Sequence, residues 1–366
     1  MNLLKVIGTL KKNKISFFCG VPDSILKDLS IFLDNKKKNE HVISTNEGSA
    51  VSLGAGYYLA TKKLPCVYFQ NSGLGNAINP LASITHKKVY SIPMLLIIGW
   101  RGSPNSKDEP QHMVKGQITR NILKLLGIKY IKLKNEKDLK KLSKLIIYSK
   151  NKSVPVACLV ENKTFNSVKN KKSLKNKNTI SRSKFIDSFL KCIPKNSKIV
   201  ATTGYTSREL FHIRNKFNIK NSNDFYMVGG MGHASILSLG YSLNYKNQVF
   251  CLDGDGSLLM HMGALRTIGK FANKNFKHII FNNNAHESVG GQRTSADTID
   301  FRKLVKSIGY KRYFLIKDEK GNIKTINNFI NLPGPSFLEV KTKIESIKNI
   351  GRPKNLIKIK NDFKSF

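Results

Sequence analysis

Apolar segments alternate with amphipathic segments along the whole chain. The apolar segments are hydrophobic at successive positions rather than at every second position, which is typical of parallel strands covered by helices on both faces. They predict strands at residues 16–19, 66–70, 94–100, 156–160, 199–202, 249–252, 278–281 and 337–340. The segments between them predict helices at residues 24–32, 49–61, 136–149, 183–192, 234–243, 257–271 and 301–308. This alternation predicts an α/β protein.

Residues 166–180 interrupt the pattern because they are polar, basic and poor in apolar side chains. Such a composition is typical of a linker. The chain has 366 residues, which is long enough for two domains with full cores. We therefore expect two α/β domains, at residues 1–165 and 181–366, each with a mainly parallel sheet covered by helices.

The net charge is +40, from 63 Lys and Arg residues against 23 Asp and Glu residues. A charge this high suggests a nucleic-acid-binding protein. The lysines are spread over the whole length, however, and no aromatic side chains interleave with them to stack on bases. We therefore favour a solvated lysine-rich surface, which also attracts anionic substrates, and keep a basic nucleic-acid-binding protein as the non-enzymatic alternative.

The cysteines and the N-terminal lysines indicate the compartment. The five cysteines form no CxxC pair and most lie in or beside apolar segments, which fits a reducing compartment. Lysines near the N-terminus interrupt any signal-peptide core, and no apolar segment is long enough to cross a membrane. We expect a cytoplasmic protein.

The segment Gly254-Asp255-Gly256-Ser257 follows a predicted strand, and Asn282-Asn283 ends the next one. Glycines on both sides of a carboxylate let the backbone approach a phosphate closely. Carboxylate and amide oxygens are hard ligands suited to Mg²⁺, which leaves other positions to waters and phosphates. The pattern predicts a diphosphate held through a metal. The alternative is an ordinary turn at a strand end in an asparagine-rich chain.

This spacing resembles the motif of thiamine diphosphate-dependent enzymes. The resemblance implies thiamine diphosphate and Mg²⁺ as cofactors. The two α/β domains then correspond to the pyrimidine-binding and diphosphate-binding domains of that superfamily, without its central domain. Asp255 and Asn283 are expected to bind the metal through their side chains, and Ala285 through its backbone carbonyl. The motif residues expected beside the diphosphate are Gly254, Gly256 and Ser257.

Two further segments of the second half resemble this cofactor site. Gly204, Tyr205 and Thr206 follow a predicted strand and precede a helix, where backbone amides bind anions. Hydroxyl groups of this segment can also simply cap the helix, and the two interpretations are compatible. Met231 lies between glycines, and the resemblance implies that it supports the bent cofactor. Its neighbours Gly232 and His233 are expected to adjoin the cofactor, although His233 is equally consistent with a structural role.

The first half contains the acid that thiamine diphosphate needs at N1′ of its aminopyrimidine. The resemblance implies that Glu47 supplies it; the alternative is a glutamate that stabilises a helix N-terminus. Asp23 follows the first predicted strand, where the resemblance implies a substrate-side acid; the alternative is that Asp23 simply caps the helix at 24–32. Asn76 ends a glycine-rich turn at residues 71–76 that either packs near the cofactor or simply joins a strand to a helix.

Several segments together resemble the phosphonopyruvate decarboxylase family, at residues 18–24, 46–50, 71–80, 98–102, 107–112 and 285–292. The resemblance implies decarboxylation of 3-phosphonopyruvate to phosphonoacetaldehyde and CO₂, in the biosynthesis of phosphonates of the 2-aminoethylphosphonate type. Sulfopyruvate decarboxylases are relatives that are usually split into two subunits, so a single chain favours the phosphonate. The alternatives are sulfopyruvate decarboxylation or another 2-oxoacid decarboxylase or carboligase activity.

The proton donor and the phosphonate ligands stay open. His112, in the expected loop at 107–112, is the first candidate donor and His286 the second, because an imidazole titrates near neutral pH. The candidate ligands of the phosphonate dianion are Arg101, Lys107, Gln292 and Arg293. Some superfamily decarboxylases have a glutamate where this chain has Val289, and Glu287 lies nearby but out of register.

In this superfamily the cofactor lies between the first domain of one subunit and the second domain of another. We therefore expect a homodimer or a larger homo-oligomer, in which Glu47 and Asp255 of one site belong to different chains. The expected partner is a small anionic 2-oxoacid substrate, with neither nucleic acid nor membrane.

Overall fold

The structure is a computed structural model. It describes residues 1–104, 106–166, 176–217, 223–319, 322–347 and 350–364. The chain divides into two compact units, Met1–Ser173 with Val289–Gln292 and Leu174–Ser288 with Arg293–Phe366. Most of the expected linker, residues 167–175, lies outside the described residues, so the domain boundaries at 165 and 181 stay a prediction.

A six-stranded sheet forms the centre of the first unit. Its strands are β1 Phe18–Gly20, β2 His41–Ile43, β3 Cys66–Gln70, β4 Leu95–Gly99, β5 Lys129–Leu133 and β6 Val156–Val160. Their order across the sheet is β2-β1-β3-β4-β6-β5, and all neighbours are parallel. The carboxyl ends of the strands therefore meet at one edge, where α/β proteins place their sites.

Helices connect these strands and cover the sheet. They are α1 Leu3–Lys12, α2 Lys27–Leu33, α3 Glu47–Thr61, α4 Leu74–Pro80, α5 Pro110–Leu125 and α6 Asp138–Lys152. The central strands β3, β4 and β6 are buried along nearly their whole length. Cys66 and Cys158 lie among their apolar residues as free thiols, as expected of cysteines that act as small hydrophobic residues.

The second unit is built on the same plan. Its sheet contains β7 Lys198–Ala201, β8 Asp224–Tyr226, β9 Val249–Gly254, β10 Phe276–Asn282, β13 Arg312–Ile316 and β14 Ser336–Lys341. Two short strands lie outside this sheet, β11 Ala285–His286 and β12 Gln292–Arg293, and the first residue of β12 belongs to the first unit. The order across the sheet is β13-β14-β10-β9-β7-β8, again with parallel neighbours. Two parallel α/β sheets confirm the expected fold class.

The helices of the second unit are α7 Arg182–Cys192, α8 Tyr205–Lys216, α9 Ala234–Ser242, α10 Asp255–Met260, α11 Ala264–Phe271, α12 Phe301–Ser307, α13 Asn322–Asn331 and α14 Leu356–Lys364. They bury an aromatic-rich core on both faces of the sheet, with Phe250 on one face and Phe337 on the other. Among the described residues, no helix combines the length and apolarity needed to cross a bilayer.

Each predicted strand overlaps an observed one, but the apolar pattern misses β2, β5, β8 and β13. These are the outer strands of the two six-stranded sheets. An outer strand has a neighbour on one side only, and β2, β5 and β13 are partly exposed along most of their length. They therefore lack the continuous apolarity that marks a covered parallel strand.

Three local predictions need correction. The expected helix at 257–271 is two helices, because the chain leaves helical geometry at His261 and α11 begins only after Gly263. The expected loop at 107–112 contains the start of α5 at Pro110, a position where the missing N–H of proline needs no partner. Glu47 is the first residue of α3 rather than a loop residue before it.

Candidate active site

Glu47 lies just after the carboxyl end of β2, where α3 begins. Asn46 starts this helix, because its side-chain oxygen accepts a hydrogen bond from the Ser49 amide at 2.8 Å. The Asn76 side-chain amide donates to Glu47 Oε2 at 2.7 Å. Gly73 leaves room for the carboxyl group, since a Cβ there would lie 2.2 Å from Glu47 Cδ. The turn at residues 71–76 therefore packs directly on Glu47.

The surroundings of Glu47 favour its protonated form. The side chain is buried, and burial raises the pKa of its carboxyl group. The hydrogen bond from Asn76 and the positive charge of the half-buried Lys115 oppose this shift, whereas the negative charge of Asp23 adds to it. A raised pKa keeps the proton on the acid nearer to neutral pH, and only the protonated acid can donate a hydrogen bond.

Asp23 lies beside this acid at the carboxyl end of β1. Its carboxylate accepts hydrogen bonds from the Leu26 amide at 3.1 Å and from the Gln70 side chain. Gly99 permits this packing, since a Cβ there would lie 2.1 Å from Asp23 Oδ2. Burial raises the pKa of Asp23. Asp23 thus caps the turn before α2 and also remains a buried acid near Glu47, so both predicted roles stay open.

The loop after β4 borders a cavity of about 620 Å³ within the first unit, and the residues around it include Ser24, Trp100, Arg101, Lys107, Lys132 and Glu161. Arg101 donates from Nε and Nη2 to the two carboxylate oxygens of Asp108. This bidentate pair uses the edge of the Arg101 guanidinium group that carries Nε and Nη2. Lys107 is exposed at the same cavity. The structure thus places two of the four candidate phosphonate ligands, Arg101 and Lys107, at one cavity, with Arg101 already paired with Asp108.

His112 is half-buried in the first turn of α5. Gly102 packs the loop after β4 against this turn, with φ +62° and a hypothetical Cβ only 1.9 Å from His112 O. Asn71 anchors the same loop, because its side chain accepts from the Arg101 N–H at 3.1 Å and donates to Arg101 O at 3.0 Å. His112 therefore has a well-defined position, and its role as proton donor stays a prediction.

In the second unit, β9 and β10 pair with Gly254 opposite Phe281. This register brings the start of α10 and the turn after β10 to the same edge of the sheet. The carboxylate of Asp255 accepts a hydrogen bond from the Thr294 hydroxyl at 2.6 Å and another from the Asn284 backbone amide. Asp255 is therefore in direct contact with the turn that follows Asn282-Asn283.

The environment of Asp255 fits a divalent cation. Burial raises the pKa of this carboxyl group to about 6, and the hydrogen bonds from Thr294 and from backbone amides oppose the shift. Within the described chain, every hydrogen-bond partner of the carboxylate is neutral. A buried carboxylate at neutral pH is costly without a positive charge beside it, and a metal ion would supply that charge.

Asn283 is buried in the turn after β10. Its side-chain oxygen accepts from the Ala285 amide at 3.0 Å, and its side-chain nitrogen donates to Glu287 Oε2 at 3.1 Å. A carbonyl oxygen has two lone pairs, so one remains for a cation. Asn284 has φ +57°, a conformation that asparagine adopts more readily than most residues, and it lets the chain reverse tightly here.

Ser257 connects the segments around the motif. Its hydroxyl lies 2.8 Å from Thr202 Oγ1 and accepts from the Gly232 amide at 3.0 Å. Gly232 has φ +88°, and a Cβ there would lie 2.5 Å from His261 Cδ2, so only glycine fits this close approach. The half-buried Met231 is thereby held beside α10. This arrangement explains why Met231 lies between glycines.

Gly204 has φ +97° and precedes α8. In the described chain no side chain caps this helix, so its first amides, near Tyr205 and Thr206, can bind an anion. The Ser207 hydroxyl donates back to Thr202 O at 2.6 Å instead of capping the helix. Among the described residues, Gly204 as the N-cap residue makes no side-chain capping bond, and the role of this segment in anion binding stays a prediction.

The other predicted residues have defined surroundings. The His286 ring packs on Gly256, where a Cβ would lie 2.9 Å from its Cε1 atom. Burial lowers the pKa of His286 to about 4, which makes this imidazole a poor source of protons at neutral pH. Gln292 is buried with its amide against Gly290, and His233 is exposed. Their roles stay predictions.

Comparisons with known proteins agree with this geometry. The model "Thiamine pyrophosphate enzyme, N-terminal TPP binding domain" matches residues 5–124, and the model "Thiamine pyrophosphate enzyme, C-terminal TPP binding domain" matches residues 202–340. Sulfopyruvate decarboxylase subunit alpha of Methanocaldococcus jannaschii is 35% identical over 159 residues, which cover 43% of this chain and 92% of that subunit. The chain belongs to the thiamine pyrophosphate enzyme family.

Two relatives match this thiamine pyrophosphate enzyme over most of its length. Phosphonopyruvate decarboxylase of Streptomyces viridochromogenes is 29% identical over 357 residues, covering 93% of this chain and 88% of that protein. Sulfopyruvate decarboxylase of Methanosarcina acetivorans is 28% identical over 363 residues, covering 93% of this chain and 90% of that protein. The expected class, a decarboxylase that uses thiamine diphosphate (thiamine pyrophosphate), is confirmed.

Several residues of this thiamine pyrophosphate enzyme lie in the site without a recognisable sequence signal. Gln70 contacts Asp23, and Thr294 donates to Asp255. Lys115 acts on Glu47 from α5. Each of these side chains reaches its partner from a distant element, so no spacing along the chain indicates the contact.

Proposed function

We propose that this enzyme decarboxylates 3-phosphonopyruvate to phosphonoacetaldehyde and CO₂, with Mg²⁺ beside thiamine diphosphate. The observation that carries the proposal is the alignment of most of the chain with a phosphonopyruvate decarboxylase. The resemblance of the residues around Glu47, His112 and Gln292 to that family supports it. The product would enter the biosynthesis of phosphonates of the 2-aminoethylphosphonate type.

The edge of the second sheet supplies the groups for a metal-bound diphosphate. Asp255 offers a carboxylate with neutral partners, and Asn283 offers an amide oxygen with one lone pair. Ala285 is the candidate for a backbone carbonyl ligand, and the amides at the start of α8 are candidates for the phosphates. Mg²⁺ prefers such oxygen ligands. When bound, thiamine diphosphate supplies the carbon nucleophile and the electron sink for the loss of CO₂.

The chain itself controls protons around the reaction. The raised pKa of Glu47 favours a protonated acid that would donate to the aminopyrimidine nitrogen, and Asn76 binds Oε2, which leaves Oε1 for that contact. Burial of Asp23 and Glu47 keeps bulk water away from both acids. A dry site favours decarboxylation, because the carboxylate charge disperses as CO₂ leaves. His112 is assigned to protonate the product carbon.

Sulfopyruvate is the second candidate substrate. The Methanosarcina acetivorans relative aligns with both halves of this chain, so a single chain does not by itself favour the phosphonate. Charge is then the main difference, because the fully ionised phosphonate carries one more negative charge than the sulfonate. Lys107 and Arg101 face one cavity and are the candidate partners of that charge.

Steady-state assays with 3-phosphonopyruvate, sulfopyruvate and pyruvate test the substrate. We expect kcat/KM for 3-phosphonopyruvate to exceed the others by about tenfold or more, because its additional negative charge strengthens hydrogen bonds from cationic side chains, and a hydrogen bond to a charged group contributes roughly 1.5–3 kcal/mol. Aldehyde and CO₂ release are measured with saturating thiamine diphosphate and Mg²⁺. A preference for sulfopyruvate or pyruvate would remove the substrate proposal and leave the family unchanged.

The proposed assembly is a homodimer whose sites combine Glu47 of one chain with Asp255 of the other. Mixed dimers of a Glu47→Gln chain and an Asp255→Ala chain then contain one intact site each. Random reassociation of the two inactive variants is expected to restore about a quarter of wild-type activity, because half of the dimers are mixed and half of their sites are intact. No recovery in dimers shown to be mixed would mean that each site belongs to one chain.

A further inference from the structure

Both asparagines of the motif pair donate their side-chain amides to buried or half-buried glutamates. Asn282 Nδ2 donates to Glu339 Oε1 at 2.7 Å, and Asn283 Nδ2 donates to Glu287 Oε2 at 3.1 Å. These bonds fix the orientation of each amide group. Without them, the oxygen and the nitrogen of the amide could exchange places at little cost. Only Asn283 is a proposed metal ligand. Removing Glu287 is therefore expected to affect metal binding, whereas removing Glu339, which makes a similar contact with Asn282, is not.

Arg182 holds Glu287 in place from the start of α7. This arginine is 5% exposed, and its Nε and Nη2 donate to Glu209 Oε2 and Oε1 at 2.9 Å and 3.1 Å. Its Nη1 donates to Glu287 Oε2 at 3.2 Å. One buried guanidinium therefore binds two carboxylates, and a charge-assisted network of this kind restricts the movement of its members.

The orientation of the Asn283 amide decides which atom faces a cation. In the observed setting, the nitrogen faces Glu287 and the oxygen accepts the Ala285 amide with one lone pair remaining. In the reversed setting, the oxygen would face the Glu287 carboxylate, which cannot donate when ionised, and the Ala285 N–H would face an NH₂ group. The reversed setting loses two hydrogen bonds and presents a donor where a cation needs an acceptor.

We propose that Glu287, held by Arg182, is a positioning residue that keeps the Asn283 oxygen turned toward the metal. The inference rests on the proposed function, because it takes Asn283 as a ligand of Mg²⁺. Glu287 lies out of register with the glutamate that some superfamily decarboxylases have at the position of Val289. Because Glu287 contacts Asn283, we assign it to orienting the metal ligand instead of to delivering a proton.

The test measures metal affinity apart from activity. The dissociation constant of Mg²⁺ is determined by calorimetry at saturating thiamine diphosphate for the full chain. Glu287→Ala is expected to weaken Mg²⁺ binding about 10–100-fold, the usual cost of losing a group that orients a metal ligand. Glu287→Gln keeps an oxygen acceptor and is expected to recover most of the affinity. Arg182→Lys is a second variant. It keeps the positive charge but cannot bind both carboxylates as the guanidinium group does, and it is expected to weaken Mg²⁺ binding about tenfold.

Glu339→Ala is the matched control, because it removes the equivalent bond at Asn282. It is expected to lower the thermal midpoint measured in EDTA without cofactor, while the Mg²⁺ dissociation constant stays close to wild type. Wild-type Mg²⁺ affinity in folded Glu287→Ala and Arg182→Lys would overturn the inference, and so would an equal loss in Glu339→Ala. Absence of Mg²⁺-dependent cofactor binding by the wild-type protein would instead remove the proposed function.

Discussion

Glu47→Gln is expected to lower turnover by about 10²–10⁴-fold, the usual contribution of a positioned acid–base group. Glutamine has nearly the shape of glutamic acid and keeps the contact with Asn76, so the fold and the affinity for thiamine diphosphate should change little. It lacks the acidic proton that the aminopyrimidine nitrogen needs. The variant therefore separates binding of the cofactor from its activation.

Turnover and the dissociation constant of thiamine diphosphate are measured on the same preparation. Asp138→Asn is the control, because Asp138 is a buried carboxylate of the same unit whose partners include the Lys134 amide at 3.0 Å and the Lys141 side chain. This control is expected to lose some stability and to keep wild-type turnover. Near-normal turnover in Glu47→Gln would contradict the role assigned to that acid.

Asp255→Ala is expected to weaken binding of thiamine diphosphate in the presence of Mg²⁺ by about 100-fold or more, which exceeds the effect of losing a group that only orients a ligand. The substitution removes the charged member of the proposed metal site and leaves the Thr294 hydroxyl and the Asn284 amide without an acceptor. Chelation of Mg²⁺ with EDTA should weaken binding by the wild-type protein to a similar extent, and should have little further effect on the variant.

Calorimetry with and without Mg²⁺ measures this effect. Asp224→Asn is the control, because Asp224 is a buried carboxylate of the same unit that pairs with Arg214 at 2.8 Å, at the far end of α8. Breaking that pair is expected to cost stability, since it leaves a buried charge unpaired, without changing the Mg²⁺ dependence. Unchanged cofactor affinity in Asp255→Ala would mean that the metal is held elsewhere.

The apolar pattern predicted the central strands well and the outer strands poorly. β9 and β10 are buried along nearly their whole length, and each contains an uninterrupted apolar stretch, at residues 249–252 and 279–281, that the sequence pattern detects. β5 and β13 are outer strands that begin at an exposed residue. Their mixture of lysines, arginines and apolar residues does not differ from that of a surface helix or a loop.

In the candidate site, too, some features could be predicted from the sequence and others could not. The proximity of Asp255 to the turn that contains Asn283 could be predicted because each residue follows a buried strand, and parallel neighbours bring such positions to one edge. The bidentate contact between Arg101 and Asp108 could not be found in this way, although it changes what Arg101 can bind. The same holds for Thr294, whose hydrogen bond to Asp255 spans a long stretch of chain.

By itself the sequence determined the α/β class and the thiamine diphosphate motif, and it predicted Glu47 as the acid, because strand burial and glycine-flanked carboxylates leave local patterns. Only the tertiary structure decided that Glu287 faces Asn283, that Asn76 and Gly73 enclose Glu47, and that Arg182 joins two carboxylates. These contacts depend on how separate helices and turns meet at the strand ends. Their partners are far apart along the chain, so no periodicity or spacing records them.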